Sequence, residues 1–277
     1  MSKKDISGLT IVITGAGRGI GRATAELLAA EGATVALGDL DEALVRAVAD
    51  SVGHGAVAAR LDVTSAESWS EFLSAVSGVG PVDVLVNNAG IMPLGSVLKE
   101  PDAVAKAIID VNVHGIINGT KAVAPGMVDR GHGHIVNVAS AVGRIAVADG
   151  ATYSASKFAA VGFSEATRAE LKPLGVDVSV ILPTVVQTEL AAGVPAARGV
   201  KPVTAQDVAA VIASAIRRPR AELWVPRWVQ AMTRTTSLLP RPLQEAIAKA
   251  FKADSVLSDA DQTARSAYEA RVRPPAS

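Results

Sequence analysis

The feature that most restricts this fold is a repeated alternation of short apolar runs with longer stretches rich in Ala, Leu, Glu and Arg. The runs "LTIVITG" (9–15), "ATVALGD" (33–39), "GAVAARLD" (55–62), "VDVLVNNAG" (82–90), "GHIVNVAS" (133–140) and "VDVSVILP" (176–183) read as strands. "AELWVP" (221–226) is a weaker seventh. Most are apolar on consecutive residues, as strands covered on both faces must be. Helices are expected near 19–31, 41–51, 65–77, 101–127, 152–172 and 204–217. Strand–helix alternation of this kind predicts an α/β fold: a doubly wound, Rossmann-like parallel sheet of about seven strands with helices on both faces. One such domain is expected over 1–226. A C-terminal helical extension over 227–277 would pack on that domain or on a partner subunit.

Lys+Arg and Asp+Glu both number 27, so no net charge draws the chain toward nucleic acid. The absence of cysteine excludes disulfides and thiolate chemistry. The four histidines, His54, His114, His132 and His134, show no metal-binding spacing, and "GHGHI" (131–135) reads as a surface turn, so no metal is assigned. No apolar run reaches the roughly 18 residues of a spanning helix, and "MSKKDISG" has no signal-peptide core. The expectation is a soluble, cytoplasmic protein.

"TGAGRGIG" (14–21) directly follows the first strand and opens the first helix. Gly15 would turn the chain sharply, while Gly19 and Gly21 would let backbone approach a ligand and the helix pack on the sheet. The helix N-terminus offers free N–H groups and a positive dipole end to a pyrophosphate. Asp39 ends the second strand at the distance where a carboxylate meets an adenosine ribose and repels a 2′-phosphate. Its other reading is a cap for the helix near Asp41. Arg18, inside the turn, could instead pair with a 2′-phosphate. NAD is therefore favoured, with NADP possible.

"TYSASKFAA" (152–160) sets Tyr153 and Lys157 one helical turn apart, on the same face. A free tyrosine, with a pKa near 10, is a poor base at neutral pH; a nearby ammonium favours the phenolate. Such a phenol could exchange a proton with an alcohol or ketone as hydride moves. A core tyrosine beside a snorkelling lysine is the bland alternative. Ser140 ends the fifth strand, where open α/β sheets place ligand groups.

Over residues 9 to about 226 the chain resembles the short-chain dehydrogenase/reductase family. The motifs stand in order: "TGAGRGIG", "LDV" (61–63), "NNAG" (87–90), Asn112 in "VNVHG", Ser140, and "YSASK" (153–157). The resemblance implies Tyr153 as catalytic acid/base, Ser140 as donor to the substrate oxygen, and Lys157 as pKa-lowering cation and nicotinamide-ribose ligand. Asn112 would hold a relay water at a local break in its helix. Gly15, Gly17, Arg18, Gly19, Ile20 and Gly21 would cradle the dinucleotide, with Asp39 on the ribose. Asp62 and Val63 would line the adenine pocket; Asn88 would support the sheet, and Ala89 and Gly90 would run beneath the cofactor. In "PTVVQT" (183–188), Pro183 and Thr188 align with the family, Thr188 toward the carboxamide, while Thr184 replaces the usual glycine.

The apolar segment after Thr188 and "AVGRIAVADGATY" (141–153) suggest a lipophilic secondary alcohol, ketone or aldehyde as substrate. Two other functions fit the same fold: an NADPH-dependent 3-oxoacyl thioester reductase and a non-catalytic dinucleotide sensor. Asp39, with no basic residue at 40 or 41, disfavours the first. Helices at 101–127 and 152–172 resemble those by which the family forms homodimers and homotetramers. Stretch 223–252 mixes two tryptophans and five basic residues with one acid, Glu245. It suits docking on protein, or peripheral contact with a membrane, which is less favoured.

Overall fold

In a computed structural model, residues 5–252 and 255–273 are described. Residues 1–4, 253–254 and 274–277, part of the expected domain and extension, lie outside them. The strands are β1 (Thr10–Thr14), β2 (Thr34–Asp39), β3 (Val57–Arg60), β4 (Val84–Asn87), β5 (Gly133–Val138), β6 (Val176–Pro183) and β7 (Glu222–Val225). They form one sheet in the order β3-β2-β1-β4-β5-β6-β7. Every neighbouring pair is parallel, including the weak candidate β7 against β6. The order reverses between β1 and β4, which opens a crevice beyond their C-terminal ends.

The helices are α1 (Gly19–Ala30), α2 (Glu42–Val52), α3 (Ala66–Ala75), α4 (Asp102–Ile109), α5 (Gly115–Asp129), α6 (Ala151–Leu171) and α7 (Ala205–Arg217). Local chemistry starts several of them. The Asp41 side chain accepts from Leu44 N, Ser65 from Ser68 N, and Thr204 with Asp207 forms a reciprocal capping box.

Alternation within the buried strands divides the core between the two faces of the sheet. Ile11, Ile13, Val35 and Leu37 pack with Leu28 of α1, Val45 of α2 and Ile212 of α7. Val12, Ala36, Leu85 and Ile135 face the other way, onto Trp69, Phe72 and Met127 of α3 and α5. Each Val, Leu, Ile, Phe or Met among them contributes about 1.5–3 kcal/mol by leaving water.

The single helix expected over 101–127 is interrupted. A wide π-type turn at Asp110–His114 separates α4 from α5 and carries Asn112 inward. The extension forms α8 (Trp228–Ser237), α9 (Arg241–Ala250) and α10 (Gln262–Val272). Their attachment is uneven: α8 buries Val229 and α9 buries no side chain, but α10 buries Arg265, Tyr268 and Glu269. Trp228, Leu238, Leu243 and Phe251 remain exposed. Among the described residues, no helix is long and apolar enough to cross a membrane.

Candidate active site

The glycine-rich turn lies at the C-terminal end of β1, beside the crevice. Gly15 has φ +64°, and a Cβ there would come within 2.8 Å of the Ala89 Cα. A Cβ on Gly21 would stand 2.3 Å from the Gly15 carbonyl oxygen, so α1 starts this close only because the position is bare. The turn is locked from β4. Asn88 Nδ2 donates to the carbonyls of Thr14 (2.9 Å) and Gly15 (3.1 Å). The backbone N–H groups of Asn88 and Ala89 both donate to Thr14 Oγ1 at 3.0 Å. Thr14 thus joins the machinery, a role its place at the end of an apolar strand did not advertise.

Asp39 closes β2 facing the same turn. Its carboxylate accepts from Gly17 N (2.9 Å) and Asp41 N (3.1 Å). With about four acceptor sites, a carboxylate so placed keeps capacity for ribose hydroxyls. Arg18, the N-cap of α1, gives no side-chain cap. Its guanidinium instead bridges Glu189 (3.1 Å) and Asp41 (3.5 Å). Glu189 also accepts from Arg271 at 2.7 Å, and these two arginines hold its carboxyl below the usual range. Ile20 packs inward behind the turn. Bare glycine backbone, an uncapped helix N-terminus and a carboxylate at the end of β2 fit a dinucleotide's pyrophosphate and ribose.

Further along the sheet edge, Asp62 Oδ1 accepts from the N–H and hydroxyl of Thr64 (3.0 and 2.7 Å). Val63 is buried against Gly115 at the start of α5. Gly90 lies under Lys157: a Cβ there would reach 3.5 Å from Nζ and 3.2 Å from Asn112 Oδ1. Pro183 ends β6 opposite Val225. Thr188 leans on the turn from above, its methyl 3.3 Å from where a Gly19 Cβ would be.

Ser140, Tyr153 and Lys157 converge at the end of β5. Ser140 Oγ accepts from Val142 N (3.2 Å), and its hydroxyl acts on the Tyr153 phenol in the direction of the phenolate. Lys157 Nζ stands 5.7 Å from the Tyr153 ring centre and donates to the Val138 carbonyl at 3.2 Å. Both side chains are 5% exposed. Burial pushes the Tyr153 phenol up to about 12, against the Ser140 hydrogen bond and the Arg265 charge, which lower it. Burial likewise pulls the Lys157 ammonium down to about 8. This corrects the expectation that a cation one turn away leaves the phenol below its ordinary value. Desolvation outweighs it, and the charge acting on the phenol is Arg265, on α10.

Asn112 is wholly buried in the π turn. Its Oδ1 accepts from Ile91 N (2.8 Å), and its amide hydrogens go to the Ile91 carbonyl (2.9 Å) and Ser156 Oγ (3.0 Å). One Oδ1 lone pair is left for a water. The side chain therefore also clamps the loop after β4 to α6.

Sequence reasoning missed two groups. A buried relay runs from Asn87 Nδ2 to Asn137 Oδ1 (2.9 Å) and from Asn137 Nδ2 to Ser164 Oγ (2.8 Å), tying β4, β5 and α6. Asn137, polar inside an apolar strand, was the available signal. The second is α10, whose Arg265 and Glu269 have the i, i+4 spacing of an ordinary surface ion pair. His134 is corrected as well: it lies in β5, buried, with Nε2 2.9 Å from Ser179 Oγ. Among the described residues no His, Asp and Glu side chains cluster to hold a metal.

Residues 9–199 match the family profile described as short chain dehydrogenase. Probable oxidoreductase EphD of Mycobacterium tuberculosis is 40% identical over 187 residues, 66% of this chain and 32% of that protein. The chain thus spans about a third of that relative's length. A 3-alpha-(or 20-beta)-hydroxysteroid dehydrogenase of the same organism is 35% identical, covering 68% of this chain and 73% of that protein. Matches named as ketoacyl reductases also occur. A crystal structure of a short chain dehydrogenase/reductase from Burkholderia phymatum in complex with NAD superposes with TM-score 0.77 at 27% identity, covering 83% of this chain and 93% of that one. A metagenomic short-chain oxidoreductase in complex with NADP gives TM-score 0.70 at 32% identity, covering 80% and 97%. The glycine turn locked by Asn88, the Ser140, Tyr153 and Lys157 cluster, and these matches lead to one conclusion: the chain belongs to the short-chain dehydrogenase/reductase family of oxidoreductases.

Proposed function

We propose that this oxidoreductase uses NAD to interconvert a lipophilic secondary alcohol and its carbonyl compound. The observation that carries the reading is the Ser140 hydroxyl acting on the buried Tyr153 phenol, set among Met92, Leu94, Val142, Val147 and Leu190. A carbonyl oxygen placed against those two hydroxyls would have its carbon among these apolar side chains. The relative named as a hydroxysteroid dehydrogenase supports the same substrate class.

Bound NAD would supply the hydride acceptor. In the oxidation direction, Ser140 donates to the alcohol oxygen and orients it. The O–H proton passes to Tyr153 Oη while the carbinol C–H leaves as hydride, so the C–O bond gains its second order with charge and atoms conserved. Tyr153 must be a phenolate to begin; the Ser140 hydroxyl and the Arg265 charge oppose the effect of its burial, and the positive charge of an oxidised nicotinamide would add to them. Lys157 would hold the nicotinamide ribose, and Asn112 the water that returns the proton to solvent. Asp39 would take the adenosine ribose, with Asp62 and Val63 at the adenine, and Pro183 and Thr188 at the nicotinamide end.

NAD is preferred to NADP because Arg18, the cation of the turn, is already engaged by Glu189 and Asp41. The exposed Phe158 on α6 suits the homodimer or homotetramer proposed through α5 and α6. Paired NAD and NADP titrations, followed by a screen of lipophilic alcohols, test the reading. It expects tighter NAD binding and turnover of at least one secondary alcohol; binding without any turnover would overturn it.

A further inference from the structure

The last described stretch, residues 255–273, is attached where substrate must enter. Three loops carry the crevice's substrate end: those after β4, after β5 and after β6. This stretch binds all three. At the β4 loop, Tyr268 Oη accepts from Met92 N (2.7 Å), Glu269 Oε1 accepts from Leu94 N (3.3 Å), and Arg273 Nη2 donates to the Leu94 carbonyl (2.7 Å). At the β5 loop, Leu257 lies directly on Gly150, the N-cap of the helix carrying Tyr153. A Cβ there would stand 2.5 Å from Leu257 Cδ1. At the β6 loop, Asp261 N donates to the Gly193 carbonyl at 2.9 Å, and a Gly193 Cβ would meet the Asp261 carbonyl oxygen at 2.5 Å. Two glycines are thus left bare where the stretch seats.

Arg265 is the centre of this attachment. It has no exposed surface. Nη1 donates to the carbonyls of Leu190 and Ala192 (both 3.1 Å), Nη2 to that of Met92 (2.7 Å), and Nε to Glu269 Oε1 (3.0 Å), which also lies 3.0 Å from Nη2. Four of the five N–H donors make hydrogen bonds and the charge is paired with Glu269, so the guanidinium fixes α10 to two of the loops. Leu257 and Ala260 then complete the apolar cluster around Tyr153.

We propose that residues 255–273 form the wall of the substrate pocket that faces Tyr153, with Leu257 and Ala260 setting which substrates fit and Arg265 as the residue that positions them. This deepens the proposed oxidoreductase reading and rests on it. The ligand class follows from the lining: an uncharged, apolar group on the carbonyl carbon, bulky enough to touch Leu257, and no carboxylate or phosphate at that end.

Two full-length variants test it, Leu257→Ala and Arg265→Met, with Arg265→Lys as the conservative control. Kinetics are run on propan-2-ol, cyclohexanol and decan-2-ol. Leu257→Ala is expected to shift the kcat/KM ratio between decan-2-ol and propan-2-ol about tenfold, the size of a methylene-scale change in a pocket. Arg265→Met is expected to raise KM about tenfold at unchanged NAD affinity, with partial recovery in Arg265→Lys. An unchanged ratio in Leu257→Ala overturns the proposal. Hydrogen exchange gives a readout independent of turnover. Decan-2-one with NADH should slow exchange at Met92, Leu94 and residues 255–273 of the wild type, and less in Arg265→Met. If no alcohol reacts but this protection is seen, the oxidoreductase reading fails and the wall stands. If exchange there is indifferent to the ketone, the wall fails.

Discussion

The Lys157 ammonium stands 5.7 Å from the centre of the Tyr153 ring, both side chains being sealed from water. Burial drives the phenol up to about 12, and the influences that oppose it are the Ser140 hydroxyl and the Arg265 charge. Under the proposed function, the positive charge of a bound oxidised nicotinamide would add to these in lowering the phenol.

Tyr153→Phe removes the proton carrier and leaves the ring's packing in place. Turnover should fall by about a hundredfold to ten-thousandfold, the usual share of a general acid or base. NAD affinity, followed by isothermal titration, should stay within about twofold, well under the tenfold that 1.4 kcal/mol represents. A variant that keeps its rate would remove Tyr153 from the chemistry.

The depressed Lys157 value has a consequence for folding. Its ammonium titrates at about 8 in the folded chain and near 10.5 when unfolded. Between those values the unfolded chain binds a proton that the folded one does not, so stability rises with pH across the window. Urea unfolding of wild type against Lys157→Met, with no dinucleotide added, should show the wild type gaining relative stability from about pH 8 to about pH 10. The same gradient in both proteins would show that Lys157 is not desolvated as described.

Asp39→Asn keeps an oxygen for Gly17 N but loses the negative charge. The preference for NAD over NADP should shrink about tenfold, near 1.4 kcal/mol, chiefly through better NADP binding. Titration of both dinucleotides reads this directly, and an unaltered ratio would place the 2′ position elsewhere.

Asn137→Leu breaks the buried relay. The Asn87 amide loses its acceptor in the core, which should destabilise the fold by about 1–3 kcal/mol. Chemical denaturation measures it; a neutral result would mean that β4 and β5 are registered by their backbones alone.

Much of this was legible in the chain. The seven strands, β7 included, follow from apolar runs long enough to cross a sheet covered on both sides, and the glycine turn follows from needs only glycine meets. Placing Tyr153 over Lys157 required only helical spacing. What was hidden depended on the third dimension. The π turn that carries Asn112 inward has no sequence period of its own, and the helix pattern ran straight through it. Thr14 acquires its role from Asn88 and Ala89, just past β4 and 74 and 75 residues away in the chain. The Arg265–Glu269 pair could not be told from a solvated one, because its burial is decided by backbone carbonyls on two distant loops.

The distal end of the extension is the firmly held part, while α9, between it and the sheet, buries no side chain. The stretch 255–273 is therefore seated by its own contacts with the three loops rather than through α9, whose end is joined to the domain by the hydrogen bond from Arg198 N to the Phe251 carbonyl (2.8 Å).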